Sequence, residues 1–135
     1  MAQVAKQFTL GKTERLKSRK AIEQLFNSGQ RFVISPFRIF YSFQKLSPGD
    51  QTLQAGFSAS SRIFKTAVDR NRIKRLTKEA WRLQKNDLQV KLNEKQQKLN
   101  VFLICTGKEL PAYTTISAAM KLILLKLLDQ SNKKN

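Results

Sequence analysis

Apolar residues recur along this chain with two different periods, and the changes from one to the other mark out its elements. Ile22, Leu25 and Phe26 stand at i, i+3 and i+4, one stripe of a helix that Ser18 can cap and Gly29 can stop. A first helix is therefore predicted from Ser18 to Asn27. From Arg31 to Gln44 the pattern becomes strand-like, rich in aromatic and β-branched residues. Ser35-Pro36 interrupts it, because proline has no N–H to give to a ladder, and a bend is expected there. Beyond the bend, Phe37, Ile39, Tyr41 and Phe43 share one face while Arg38, Phe40 and Ser42 share the other. Ser47-Pro48-Gly49-Asp50 reads as a turn, and Gln54–Ser60 as a second strand.

A loop over 61–66 precedes a helix predicted from Ala67 to at least Gln84, with Ile73, Leu76, Ala80 and Leu83 as its apolar face. Trp81 falls at the margin of that face, where a core-edge anchor is expected. Residues 86–100 are polar, and the pattern leaves open whether they extend the helix or loop out. Leu99–Cys105 is an apolar run bounded by Gly107 and reads as a buried strand holding an inert thiol. Thr114–Asp129 reads as a last helix, with Ile116, Ala119, Met120, Ile123, Leu124 and Leu127 on a wide core-facing side. The order α-β-β-(β)-α-β-α describes an α+β single domain over 13–130, with a flexible leader at 1–12 and a tail at 131–135.

Charge changes the picture from fold to partner. Lys and Arg number 26 against 9 Asp and Glu, a net charge of +17 on 135 residues. A small domain so charged repels itself and suits a polyanion, nucleic acid first. With 41% hydrophobic residues the chain can still bury a core, so it is not merely a basic tail. It has no His, which removes His-dependent acid–base chemistry and His-liganded metals, and a single Cys, which removes an intrachain disulfide. No apolar run reaches the roughly 20 residues of a membrane span, and a cytoplasmic location without a membrane is expected. No pair of carboxylates or phosphate-cradling glycine loop is visible, so no catalytic residue and no protein metal site is assigned.

The cations cluster. Nine Lys or Arg lie between Arg62 and Lys85, against only Asp69 and Glu79. A solvated face is the usual reading of a charge run, but this imbalance favours contact with nucleic acid. Arg suits that role because its planar fork can grip a phosphate with two hydrogen bonds. Asn71 can both donate and accept, as a base edge, a sugar or a hydrated ion requires, or it can serve the helix start. Phe40 shares its strand face with Arg38, and an aromatic beside a cation on a sheet can stack an unpaired base; ordinary packing is the equal alternative.

The run Lys65-Thr66-Ala67-Val68-Asp69-Arg70-Asn71-Arg72-Ile73-Lys74-Arg75-Leu76 resembles the signature of the protein subunit of bacterial ribonuclease P. Arg15-Leu16, Phe26, Gly29 and the Gly56–Ser60 strand fall in that family's order. The resemblance implies a central mixed four-stranded sheet with three helices and a left-handed β-α-β crossover, against the general right-handed rule. It implies a protein that assists a catalytic RNA in removing the 5′ leader of precursor tRNA, with Mg²⁺ bound mainly by the RNA. By position it implies RNA-subunit contacts at Arg62, Lys65, Arg70, Asn71, Arg72, Lys74, Arg75 and Lys78. It likewise implies leader contacts at Ile22, Phe26, Arg38 and Phe40, with Ile22 offering apolar contact only. The implied partners are the ribonuclease P RNA and precursor tRNA, with no further protein required. A structural RNA-binding protein of the ribosomal type is the alternative from charge alone. A peripheral membrane protein ranks behind both, since no helix joins a broad apolar face to a basic one.

Overall fold

The computed structural model describes residues 14–134, so the leader expected over 1–12 lies outside the described residues. Helix α1 (Arg19–Ser28) opens on Ser18, whose hydroxyl accepts from Ala21 N at 3.3 Å, and closes at Gly29. Strands β1 (Gln30–Ile34) and β2 (Phe37–Lys45) form a hairpin, and the bend between them is a cis Ser35–Pro36 peptide. Strand β3 (Leu53–Ala59) leads into α2 (Ala67–Gln84), α3 (Asn86–Lys95), β4 (Gln97–Cys105) and α4 (Tyr113–Lys134). The sheet order is β1-β2-β4-β3, with β1·β2 and β2·β4 antiparallel and β3·β4 parallel. A parallel pair needs a crossover, and here α2 and α3 together supply it.

Among the described residues four helices stand where three were expected, and the added one is α3. Leu88 and Leu92 stand at i and i+4 and are buried. Those two contacts are enough to seat an otherwise polar segment. Lys85 keeps helical geometry between α2 and α3, and Gln96 ends α3 in the left-handed region at φ 55°. The expected tail over 131–135 is also corrected. Residues 131–134 are the last turn of α4, and Ser131 is fully buried. Its hydroxyl donates to Gln97 Oε1 at 2.6 Å, and its carbonyl accepts from Lys95 Nζ at 2.7 Å.

The alternation on β2 sorts the chain into two cores. Phe37, Ile39 and Tyr41 face the larger one, with Leu99, Val101, Leu103, Ile73, Trp81, Met120 and Ile123. The expected inner face of α4 is buried at all six positions. On α2 the buried set is Ile73, Thr77, Ala80 and Trp81, while Leu83 is 45% exposed. The stripe is turned toward Trp81 because a ring of that size gains most by burial. Thr77 can accompany it because its hydroxyl donates to Ile73 O at 2.7 Å. Cys105 is fully buried, and desolvation raises its thiol pKa.

The opposite sheet face carries a small satellite core of Leu16, Leu25 and Phe40, with Ile22, Phe102 and Ile104 packed against it. α1 lies over this face. Gly56 lies beneath the Phe102 ring, where a Cβ would come within 2.5 Å of Cδ2, so the close approach needs glycine. No described helix is long and apolar enough to cross a membrane.

Candidate nucleic-acid interface

The basic helix is built to hold its first turn and the preceding loop rigidly together. Thr66 caps α2 by accepting from Asp69 N at 3.2 Å, and Asp69 lies in the first turn, where a negative charge favours the helix dipole. Phe64 is buried and donates its N–H to Ser60 O at 2.8 Å. Arg70 Nη1 then donates to Phe64 O at 2.7 Å. One arm of Arg70 is thus spent on the loop, leaving the other guanidinium donors available. Arg62 and Lys65 stand exposed on this pinned loop, and Arg72 is exposed on the helix beside it.

The remaining cations converge elsewhere. Asn71, Lys74, Arg75, Lys78, Glu79 and Arg82 line an open groove of about 550 Å³ together with Arg15. Residues 71, 74, 75, 78 and 82 form one stripe of a helix. The Lys78 ammonium is pushed below its ordinary pKa, chiefly by desolvation and then by the charges of Arg15, Lys74 and Lys17. Such crowding is relieved by an anion. Glu79 tempers it only locally: its carboxylate is clipped by Arg82, whose Nε lies 3.3 Å from Oε2, and that bond holds Glu79 below the usual carboxylate range. The eight expected RNA-subunit residues therefore divide in two. Asn71, Lys74, Arg75 and Lys78 share the groove; Arg62, Lys65, Arg70 and Arg72 gather at the loop and helix start.

Three contributors were not assigned a contact from sequence: Arg15, Lys17 and Arg82. Arg82, already counted in the basic run, continues the helical stripe and could have been assigned from it. Arg15 could not. It reaches the groove because residues 15 and 55 form a parallel bridge along the free edge of β3, with Leu16 N donating to Ala55 O at 2.9 Å. Lys85, counted among the cations of the basic run, is no surface charge at all. It is 2% exposed, and its Nζ sits 2.8 Å from Glu14 Oε1.

A second surface lies where α1 crosses the sheet. Phe26, Phe40 and Phe102 form one aromatic group, with Phe26–Phe40 centroids 4.8 Å apart and Phe26–Phe102 5.4 Å apart. Phe40 is only 7% exposed, whereas Phe26 is 38% exposed. Of the two readings left open for Phe40, its burial selects the packed one: Phe26 roofs it, and the Arg31 guanidinium sits 5.8 Å from its centroid. Ile22 is half-buried against this cluster, and Arg38 is exposed on β2 opposite Ile104 of β4. The structure thus brings together the four expected leader residues, with Phe26 rather than Phe40 as the open ring.

The family model for Ribonuclease P matches residues 10–127. The chain belongs to the ribonuclease P protein family. The ribonuclease P protein component of Porphyromonas gingivalis is 34% identical over 122 residues, covering 89% of this chain and 87% of the relative. That of Borrelia duttonii is 39% identical over 67 residues, covering 50% of this chain and 54% of the relative. The solved ribonuclease P protein of Staphylococcus aureus superposes with a TM-score of 0.62 at 16% identity, covering 84% of this chain and 94% of that one. At that identity the likeness shows the fold, and the α+β ribonuclease P architecture is the one found here.

Proposed function

We propose that this ribonuclease P protein works in tRNA processing by docking the ribonuclease P RNA along the α2 groove and its adjoining loop. The 5′ leader of precursor tRNA is held over the α1–sheet surface. The observation that carries the reading is the groove itself, with five cations against one clipped carboxylate. Hydrolysis is left to the RNA. Among the described residues no three Asp, Glu, His or Cys side chains converge as a metal site would need. In this reading Mg²⁺ is bound mainly by the RNA, and the protein is assigned no chemical step. The holoenzyme acts in the cytoplasm and needs no further protein.

Reconstitution tests the whole reading. Adding the protein to its RNA subunit should raise cleavage of precursor tRNA at low Mg²⁺, because bound cations offset phosphate repulsion that Mg²⁺ otherwise screens. An equal rate with and without protein would defeat it. A structural RNA-binding protein would bind without distinguishing precursor from mature tRNA.

A second experiment addresses the cations. Replacing Arg72 and Arg75 together by Ala removes one contact from each half of the surface. Each lost phosphate contact should flatten the dependence of log K on log salt by about 0.7–0.9, so the pair by about 1.5. Binding isotherms over a salt series would reveal it; an unchanged slope would mean that neither side chain meets a phosphate.

A further inference from the structure

One acidic residue beside this basic surface is tied to a buried partner. Glu14, next in sequence to the groove residue Arg15, binds Lys85, a lysine with 2% of its side chain exposed at the α2–α3 junction. Two residues on, Leu16 is 5% exposed, inserted with Leu25 and Phe40 in the satellite core, and its N–H is tied to Ala55 O. Arg15 stands between these two anchors. With both neighbours fixed, its side chain is delivered to the groove wall opposite Lys74 and Lys78. Lys17 follows, close enough for its charge to depress the Lys78 pKa.

We infer that residues 14–17 are a strap that completes the RNA-binding groove, and that the Glu14–Lys85 ion pair is the lock that positions Arg15 and Lys17 there. The inference rests on the α2 groove being an RNA surface. Glu14 is a positioning residue: it touches no RNA, and it acts by placing two cations. A segment carrying Arg15 and Lys17 beside Lys74, Lys78 and Arg82 is repelled by the helix it lies against. A desolvated ion pair, one inserted leucine and the Leu16 N–H bond to Ala55 O oppose that repulsion. Lys85 suits the lock because its buried charge has to keep its partner. The same pairing gives the strap a fixed register along the β3 edge, so its cations lie at set positions rather than as a diffuse cloud.

The consequence runs against net charge. Glu14→Gln makes the protein one unit more positive, and screening alone predicts tighter RNA binding. The lock predicts weaker binding. Because Glu14→Gln leaves Lys85 unpaired and can destabilise the fold, the decisive protein is the double variant Glu14→Gln/Lys85→Met. It leaves the net charge unchanged: Met fills the buried lysine site without a charge to pair, and Gln keeps its polar end at the partly exposed position 14. Full-length wild-type and double variant would be titrated with the ribonuclease P RNA and with an oligouridine strand over a salt series. Amide exchange at Leu16 would be followed in parallel.

The double variant should bind both RNAs roughly tenfold more weakly. Its salt slope should be lower by about 1.5, two phosphate contacts, with faster exchange at the Leu16 N–H. Arg15→Gln, with the lock intact, should lose about half that slope and keep the Leu16 protection. A folded double variant with wild-type affinity and slope on both RNAs overturns the inference. Failure of the underlying reading shows differently: the wild-type protein would then bind the ribonuclease P RNA no better than oligouridine.

Discussion

Trp81→Ala should destabilise the protein by about 3–5 kcal/mol, the range for emptying a large buried aromatic site. The whole domain is held by only about 5–15 kcal/mol. Trp81 is 1% exposed and meets Phe57 of β3 edge-on, with centroids 6.0 Å apart. With Ile73 and Ala80 it therefore seats α2 against the core, and α2 carries the groove cations on its other side. Urea unfolding would read the loss as a lower midpoint. Leu83→Ala is the matched control on the same helix: at 45% exposure it should change stability by no more than about 0.5 kcal/mol. Equal losses in the two variants would return the apolar face of α2 to the one periodicity suggests. RNA affinity should fall in the Trp81 variant only under conditions where a measurable fraction is unfolded, since no RNA contact is removed.

That contrast shows where the sequence is informative. A wide, strongly apolar stripe such as that of α4 is legible, because burial at six positions leaves one way to turn the helix. α2 is harder. Its cations fill most of its circumference, and Leu83 and Trp81 compete for the edge of a narrow stripe. The larger ring prevails through its contact with Phe57, a strand residue whose position no local pattern reveals. Residues 86–95 gave the weakest signal, since two leucines among polar neighbours support a helix only once β4 and α4 are there to receive them.

The candidate site divides in the same way. The stripe Asn71, Lys74, Arg75 and Lys78 is local to one helix and could be read directly. The anchoring of Arg70 to Phe64 O, the delivery of Arg15 to the groove and the burial of Lys85 are all tertiary. Each depends on a partner that arrives from elsewhere in the fold. Lys85 is the instructive case, because a lysine in a charge run is ordinarily solvated and only its 2.8 Å contact with Glu14 makes it structural. Strand alternation correctly set Phe40 apart from the core-facing residues of β2. It could not reveal that α1 covers that face.

Phe26→Ala should weaken binding of leader-bearing precursor tRNA by about 1–3 kcal/mol, the cost of losing one base–aromatic stack. Binding of mature tRNA should be unchanged. Phe26 is the ring with open surface, whereas Phe40 beneath it can act only by support. The two roles separate experimentally. Phe40→Leu keeps most of the buried volume and should hold Phe26 in place with leader affinity close to wild type. Phe40→Ala should instead appear first as lost stability, because it empties the largest of the three buried residues of a small satellite core. If folded Phe40→Leu loses as much leader affinity as Phe26→Ala, the base meets Phe40 after all, and α1 must lift to admit it. The smallness of that core gives such movement physical meaning: Leu25 is the buried residue of α1, so the wall of the proposed leader surface rests on few buried contacts.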